Sequence, residues 1–214
     1  MIAIERDRRA LPALAEIAEA AEGRLAVVEG DALEIDATTL GEAPRRIVAN
    51  LPYNIATPLL FAWLARLRDF ESLTLMFQKE VAERITAQPG SKSYGRLAVM
   101  TQWVGEAERL FDIPARAFVP PPKVTSSVVH ITPRPAPQGE ADPKVMERVV
   151  ATAFNQRRKM LRQALKPLGD AEALLASAGI NPTRRAETLE VTEFAALARA
   201  SIALLQASDI VGKS

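Results

Sequence analysis

Residues 48–54 read VANLPYN. The run Arg46-Ile47-Val48-Ala49 has the character of a short buried strand, which puts Asn50, Leu51, Pro52 and Tyr53 where the strand ends. In an open α/β sheet, ligands bind outside the carboxyl ends of the strands. A carboxamide, a stiff proline and an aromatic ring at such a position therefore mark a candidate site.

Working outward, strands and helices alternate. Ile2–Glu5 and Leu25–Glu29 read as strands around a helix at Arg8–Ala21. After the strand at 46–49, Thr57 is expected to cap a helix with Pro58 at its first position and Leu59, Leu60, Trp63, Leu64 and Leu67 on one face. Leu73–Phe77 is the next strand, helices follow at Lys79–Ala87 and Arg96–Trp103, and Ala107–Asp112 and Val124–Thr132 are the last two strands. The alternation predicts a parallel, doubly wound sheet. The Pro-rich stretch TPRPAPQGEADP reads as a linker, and helical patterns follow it at 144–155, 157–166, Asp170–Ala178 and Thr192–Ala207. The expected organisation is an α/β domain over 1–135 and a small helical domain over 140–214.

Composition bounds the chemistry. The 214 residues contain no cysteine and one histidine, His130, so neither disulfides nor a cysteine- or histidine-built metal site is expected. Charges nearly cancel, no apolar run approaches the roughly 20 residues of a membrane span, and no signal-peptide pattern opens the chain. The expectation is a soluble cytoplasmic monomer without a metal. His130, Trp63 and Trp103 read as structural residues.

Three features carry competing readings. Arg157, Arg158, Lys159, Arg162 and Lys166 fall in ten residues without an acid, which suits either a phosphate-facing helix or a solvated face. Glu5 ends a strand and has the position of an acid that takes ribose hydroxyls, or is an ordinary strand-end charge. Gly30-Asp31-Ala32 ends the next strand and suits either an adenine amino group or a simple turn. No two glycines are spaced as G-x-G, so a Gly-rich loop ahead of Glu5 is not seen.

The segments IAIERD, GDAL, NLPYNIATPLL, FQKEVAERI, SYGRLAVM, FVPPPKVTSSVV and FNQRRKMLRQAL, in that order, resemble the bacterial small-subunit ribosomal RNA adenine N6-dimethyltransferases over nearly the whole chain. The resemblance implies a Rossmann-like methyltransferase sheet and S-adenosylmethionine as cofactor. It also implies a substrate of two adjacent adenosines in a hairpin loop near the 3′ end of the small-subunit RNA, met on the immature subunit. Members of the family carry a first strand and a Gly-rich turn that this sequence is expected to lack. Cofactor contacts are expected at Glu5, Asp31, Ala32 and Asn50.

The chemistry of that reaction accounts for the composition of NLPY. An adenine amino nitrogen is a poor nucleophile because its lone pair is delocalised into the ring. The Asn50 side-chain oxygen and the Leu51 carbonyl are expected to accept its two hydrogens, Pro52 to stiffen the turn, and Tyr53 to stack on the base. An extruded base needs a second wall, and Phe118 in AFVPPPKV is the candidate, with core packing as its alternative role. Asn155, with Phe154, is expected at the RNA-facing edge, and Arg157, Arg158 and Lys159 at phosphates. Two other functions remain open on sequence: a noncatalytic RNA-binding or ribosome-assembly factor, and a macrolide-resistance methylase of large-subunit RNA.

Overall fold

The computed structural model describes residues 1–211. At the front, β1 (Ile2–Glu5), α1 (Leu11–Ala20) and β2 (Ala26–Glu29) form a β-α-β unit whose strands pair in parallel from Ile2↔Ala26 to Glu5↔Glu29. Leu25 is the only buried residue among residues 1–45, so little apolar surface holds this unit.

A second sheet follows. Strand β3 (Arg46–Asn50) runs parallel to β4 (Ser72–Gln78), with Asn50 opposite Met76. Between them lies α2 (Ala56–Leu64), which buries Ala56, Leu59, Leu60, Trp63 and Leu64, each worth roughly 1.5–3 kcal/mol for a large side chain. Leu67, on the next short turn, is also buried, so the face expected from sequence is the one that packs. The helix starts one residue before the expected cap: Ile55 is the N-cap, no side chain caps it, and Thr57 lies inside the first turn. The cause is the preceding turn, in which Ile55 N–H donates to the Pro52 carbonyl and delivers the chain directly into the helix.

After β4 come α3 (Lys79–Ile85) and α4 (Arg96–Val104), then β5 (Gly105–Ile113) and β6 (Ser126–Pro133). The strand order is β3-β4-β6-β5, and β6 is antiparallel to both neighbours. A wholly parallel sheet is thus incorrect. No α-helix separates β5 from β6, only a single 3-10 turn at Ala115–Ala117, and without a crossover two neighbouring strands can pair only as antiparallel partners. No ladder among the described residues joins β1 to β3, so the strands form a pair and a separate set of four.

The remaining helices are α5 (Pro143–Asn155), capped by Asp142 through the amides of Lys144 and Val145, α6 (Leu161–Ala164), α7 (Ala171–Ser177) and α8 (Val191–Val211). The expected continuous helix over 157–166 is broken. Residues 156–160 turn instead, with Lys159 N–H on the Gln156 carbonyl, and the amides of Leu161 and Arg162 are captured by the carbonyls of Arg184 and Pro182. Two cores result. One packs α2 against the buried face of β4 and β6; the other joins α4 and Tyr94 to α5 through α8.

Candidate active site at the strand ends

The turn after β3 presents its groups unevenly. Leu51 is buried and fixes the backbone, whereas Asn50 and Pro52 are exposed and Tyr53 is 42% exposed. Among the described residues, the Asn50 side chain has no hydrogen-bond partner, and no turn or loop hydrogen bond uses the Leu51 carbonyl. Two acceptors thus stand uncommitted beside an open aromatic face. Tyr53 Oη lies 3.3 Å from Ser126 Oγ, which links the turn to the first residue of β6.

The same strand end receives the Pro-rich segment. Ile113 and Ser126 pair across β5 and β6, closing the loop 114–125 that contains half-buried Phe118 and fully exposed Val119. The loop carrying Phe118 is therefore anchored at the residue that contacts Tyr53. Lys79, just after β4, donates through Nζ to Asp112 of β5 at 2.7 Å, and this ammonium holds the Asp112 carboxyl below the ordinary carboxylate range.

The β1–β2 ladder brings Glu5 and Asp31 to one strand end. Gly30 N–H donates to the Glu5 carbonyl at 3.0 Å, and one Glu5 carboxylate oxygen accepts from Asp7 N–H at 2.7 Å, leaving the other without a partner among the described residues. Asp31 accepts from Leu33 N–H at 2.9 Å and from the Arg6 guanidinium at 2.7 Å, and Ala32 packs partly buried against the core. A carboxylate has about four acceptor positions, so both acids retain capacity for ligand donors.

The basic segment is divided. Arg157 Nε donates to Glu187 at 2.7 Å and its Nη2 to the Ser91 carbonyl at 3.3 Å, while Arg158 and Lys159 are exposed and form no ion pair among the described residues. Asn155 is exposed at the end of α5. Phe154 faces inward, stacked on Phe194 and edge-on to Tyr94. His130 Nδ1 lies 2.9 Å from Thr74 Oγ1 across the β4–β6 ladder, and Trp103 donates to the Gly139 carbonyl, both structural contacts.

The sequence pattern of the family described as ribosomal RNA adenine dimethylase matches residues 1–202. The chain belongs to that family. It is 62% identical over 200 residues to the ribosomal RNA small subunit methyltransferase A of Rhodospirillum rubrum, covering 94% of this chain and 69% of the relative. It is 60% identical over 203 residues to the protein of the same name from Paracoccus denitrificans, covering 93% and 72%. Its fold matches that of a dimethyladenosine transferase from Plasmodium falciparum, with a TM-score of 0.74 at 24% identity over 92% of this chain and 79% of that one. A 23S rRNA methyltransferase, ErmE, gives 0.67 at 24% identity over 94% and 81%. By its family, the chain is an S-adenosylmethionine-dependent methyltransferase of ribosomal RNA adenine.

Sequence reasoning missed Ser126, Ser91 and Glu187. Ser126 touches Tyr53 from 73 positions away, and Glu187 holds Arg157 from 30. Neither separation leaves a local pattern to read.

Proposed function

We propose that this chain dimethylates the N6 amino groups of two adjacent adenosines in a hairpin loop near the 3′ end of small-subunit ribosomal RNA, during subunit assembly. The observation that supports this reading is the pairing of two uncommitted acceptors, Asn50 and Leu51, with the open face of Tyr53. The relatives' name, which specifies the small subunit, supports the choice of RNA.

S-adenosylmethionine, when bound, would supply a methyl group on a positively charged sulfur, which keeps the electron pair of the breaking S–C bond. Asn50 Oδ1 and the Leu51 carbonyl each accept one amino hydrogen, which draws the adenine nitrogen toward tetrahedral geometry and stabilises the positive charge it gains as the new N–C bond forms. Pro52 carries no N–H to compete for those acceptors. The proton leaves to water, since a methylated aminium is strongly acidic. Tyr53 and Phe118 hold the extruded base, offsetting an unstacking cost of a few kcal/mol.

The free Glu5 oxygen suits a ribose hydroxyl, and Asp31 with Ala32 suits the adenine edge of the cofactor. These residues and Asn50 make up the ribose, adenine and reacting ends of the site. Residues 1–135 carry the reaction, and the helical part, 140–214, meets RNA through Asn155, Arg158 and Lys159, with Arg157 bracing them. No helix among the described residues is long and apolar enough to cross a membrane. The reading is of a cytoplasmic monomer working on ribosomal particles.

Mass mapping of RNA fragments after incubation with S-adenosylmethionine and immature small subunits tests this. Dimethyladenosine is expected at two adjacent small-subunit positions; methylation confined to large-subunit RNA, or RNA binding without methylation, overturns it.

A further inference from the structure

We infer that Ser126 is a positioning residue for Tyr53, fixing the phenol so that its ring stands ready for the extruded adenine. The inference rests on the reading of Tyr53 as a base-stacking wall. Ser126 has no exposed surface, and its backbone is held from both sides, opposite Gln78 in β4 and Ile113 in β5. Its hydroxyl has one partner, Tyr53 Oη at 3.3 Å, toward the long end for a hydroxyl pair. A buried hydroxyl without a partner is costly, so this contact is where the burial of Ser126 is compensated. The neighbouring Ser127, equally buried, points to the other side of the strand and donates to the Phe111 carbonyl at 3.3 Å. Only one of the two serines reaches the turn.

The geometry suits a preorganising contact. Tyr53 sits on an exposed turn, where an untethered aromatic side chain samples several rotamers. A bond at the para oxygen fixes the direction of the ring's long axis while leaving both faces free, so the ordering that base stacking requires is already in place. Ser126 also marks the end of the loop bearing Phe118, which makes it the common anchor of both proposed walls.

The test uses a small-subunit RNA hairpin with 2-aminopurine at a target adenosine, whose fluorescence is quenched on stacking. Tyr53→Phe and Ser126→Ala are each expected to weaken binding about three- to tenfold and reduce the quench, with the double variant no worse than either and Ser126→Thr retaining the wild-type signal. Tyr53→Ala should abolish the quench. A wild-type quench in Tyr53→Ala would overturn the base-stacking reading itself. A strong effect of Tyr53→Ala with none from Tyr53→Phe and Ser126→Ala, or with additive losses in the double variant, would overturn the positioning role alone. Should Ser126→Ala fail to fold, Tyr53→Phe removes the same bond from its exposed end, and a wild-type quench there counts against the inference.

Discussion

Arg157 and Glu187 form a 2.7 Å ion pair, and the same guanidinium reaches the Ser91 carbonyl in the segment between α3 and α4. Two nearby contacts run between the same segments: Gly90 N–H donates to the Glu187 carbonyl, and Tyr94 Oη donates to the Leu189 carbonyl. Burial of Tyr94, with the Glu190 and Glu193 charges, pushes its phenol well above the ordinary range. The first cation of the RRK run thus helps tie the segment before α4 to the C-terminal helices within one core, and the next two form no ion pair among the described residues.

This division predicts a separation of effects. Arg157→Gln should lower thermal stability by about 1 kcal/mol, given its partial exposure, whereas Arg158→Gln with Lys159→Gln should leave melting unchanged. The double substitution should lower the log–log salt slope of RNA binding by about 1.4, since each contact to single-stranded RNA releases roughly 0.7 counterion. A slope that falls only with Arg157→Gln would reverse the assignment.

Tyr53→Ala and Phe118→Ala should each weaken capture of an unpaired adenine by about 1–3 kcal/mol, the usual worth of a base–aromatic contact. The loss should be smaller for RNA in which the target adenosines are abasic. Fluorescence titration of both RNAs measures it, and equal losses on both would return Phe118 to a packing role.

Glu5→Gln should weaken binding of S-adenosylmethionine about tenfold or more, because a charged acceptor is replaced where ribose hydroxyls are expected to donate. Calorimetry on the two proteins decides this, and unchanged affinity would make Glu5 a strand-end charge that serves only the Asp7 amide.

A pH effect is expected in the helical part. Burial pushes the Glu193 carboxyl up, but hydrogen bonds from Arg184 and the Glu190 amide outweigh it, and the group ends below its ordinary value of 4.5. A depressed carboxyl stabilises the fold above its unfolded value and loses that contribution as pH falls through the folded one. Glu193→Gln should therefore show a shallower loss of stability below pH 4.5 than the wild type, by under about 1 kcal/mol in thermal melts. Parallel acid profiles would show that Glu193 contributes nothing there.

The strand-and-turn at 46–54 was legible because its signals are local, a short apolar run, then Asn, Pro and an aromatic residue; the expected burial of the strand was incorrect, since β3 lies at the edge of its sheet among the described residues and Val48 is 79% exposed. The buried face of α2 was legible for the same reason. The mixed sheet had a visible sign in the missing helix between β5 and β6, which simple alternation overrode. The break at Met160 had none, since the carbonyls of Pro182 and Arg184 that end the helix pattern come from another part of the chain. Ser126 likewise acquires its contact with Tyr53 only when β6 inserts beside β4.

The most direct test of the account is the rate of methyl transfer to small-subunit RNA by Asn50→Ala under single-turnover conditions. Loss of one preorganised acceptor for the charge that develops on the amino nitrogen predicts a 100- to 1000-fold slower reaction, roughly 3–4 kcal/mol of barrier, with RNA affinity nearly unchanged. Transfer at the wild-type rate would contradict the account and leave Asn50 as a turn residue.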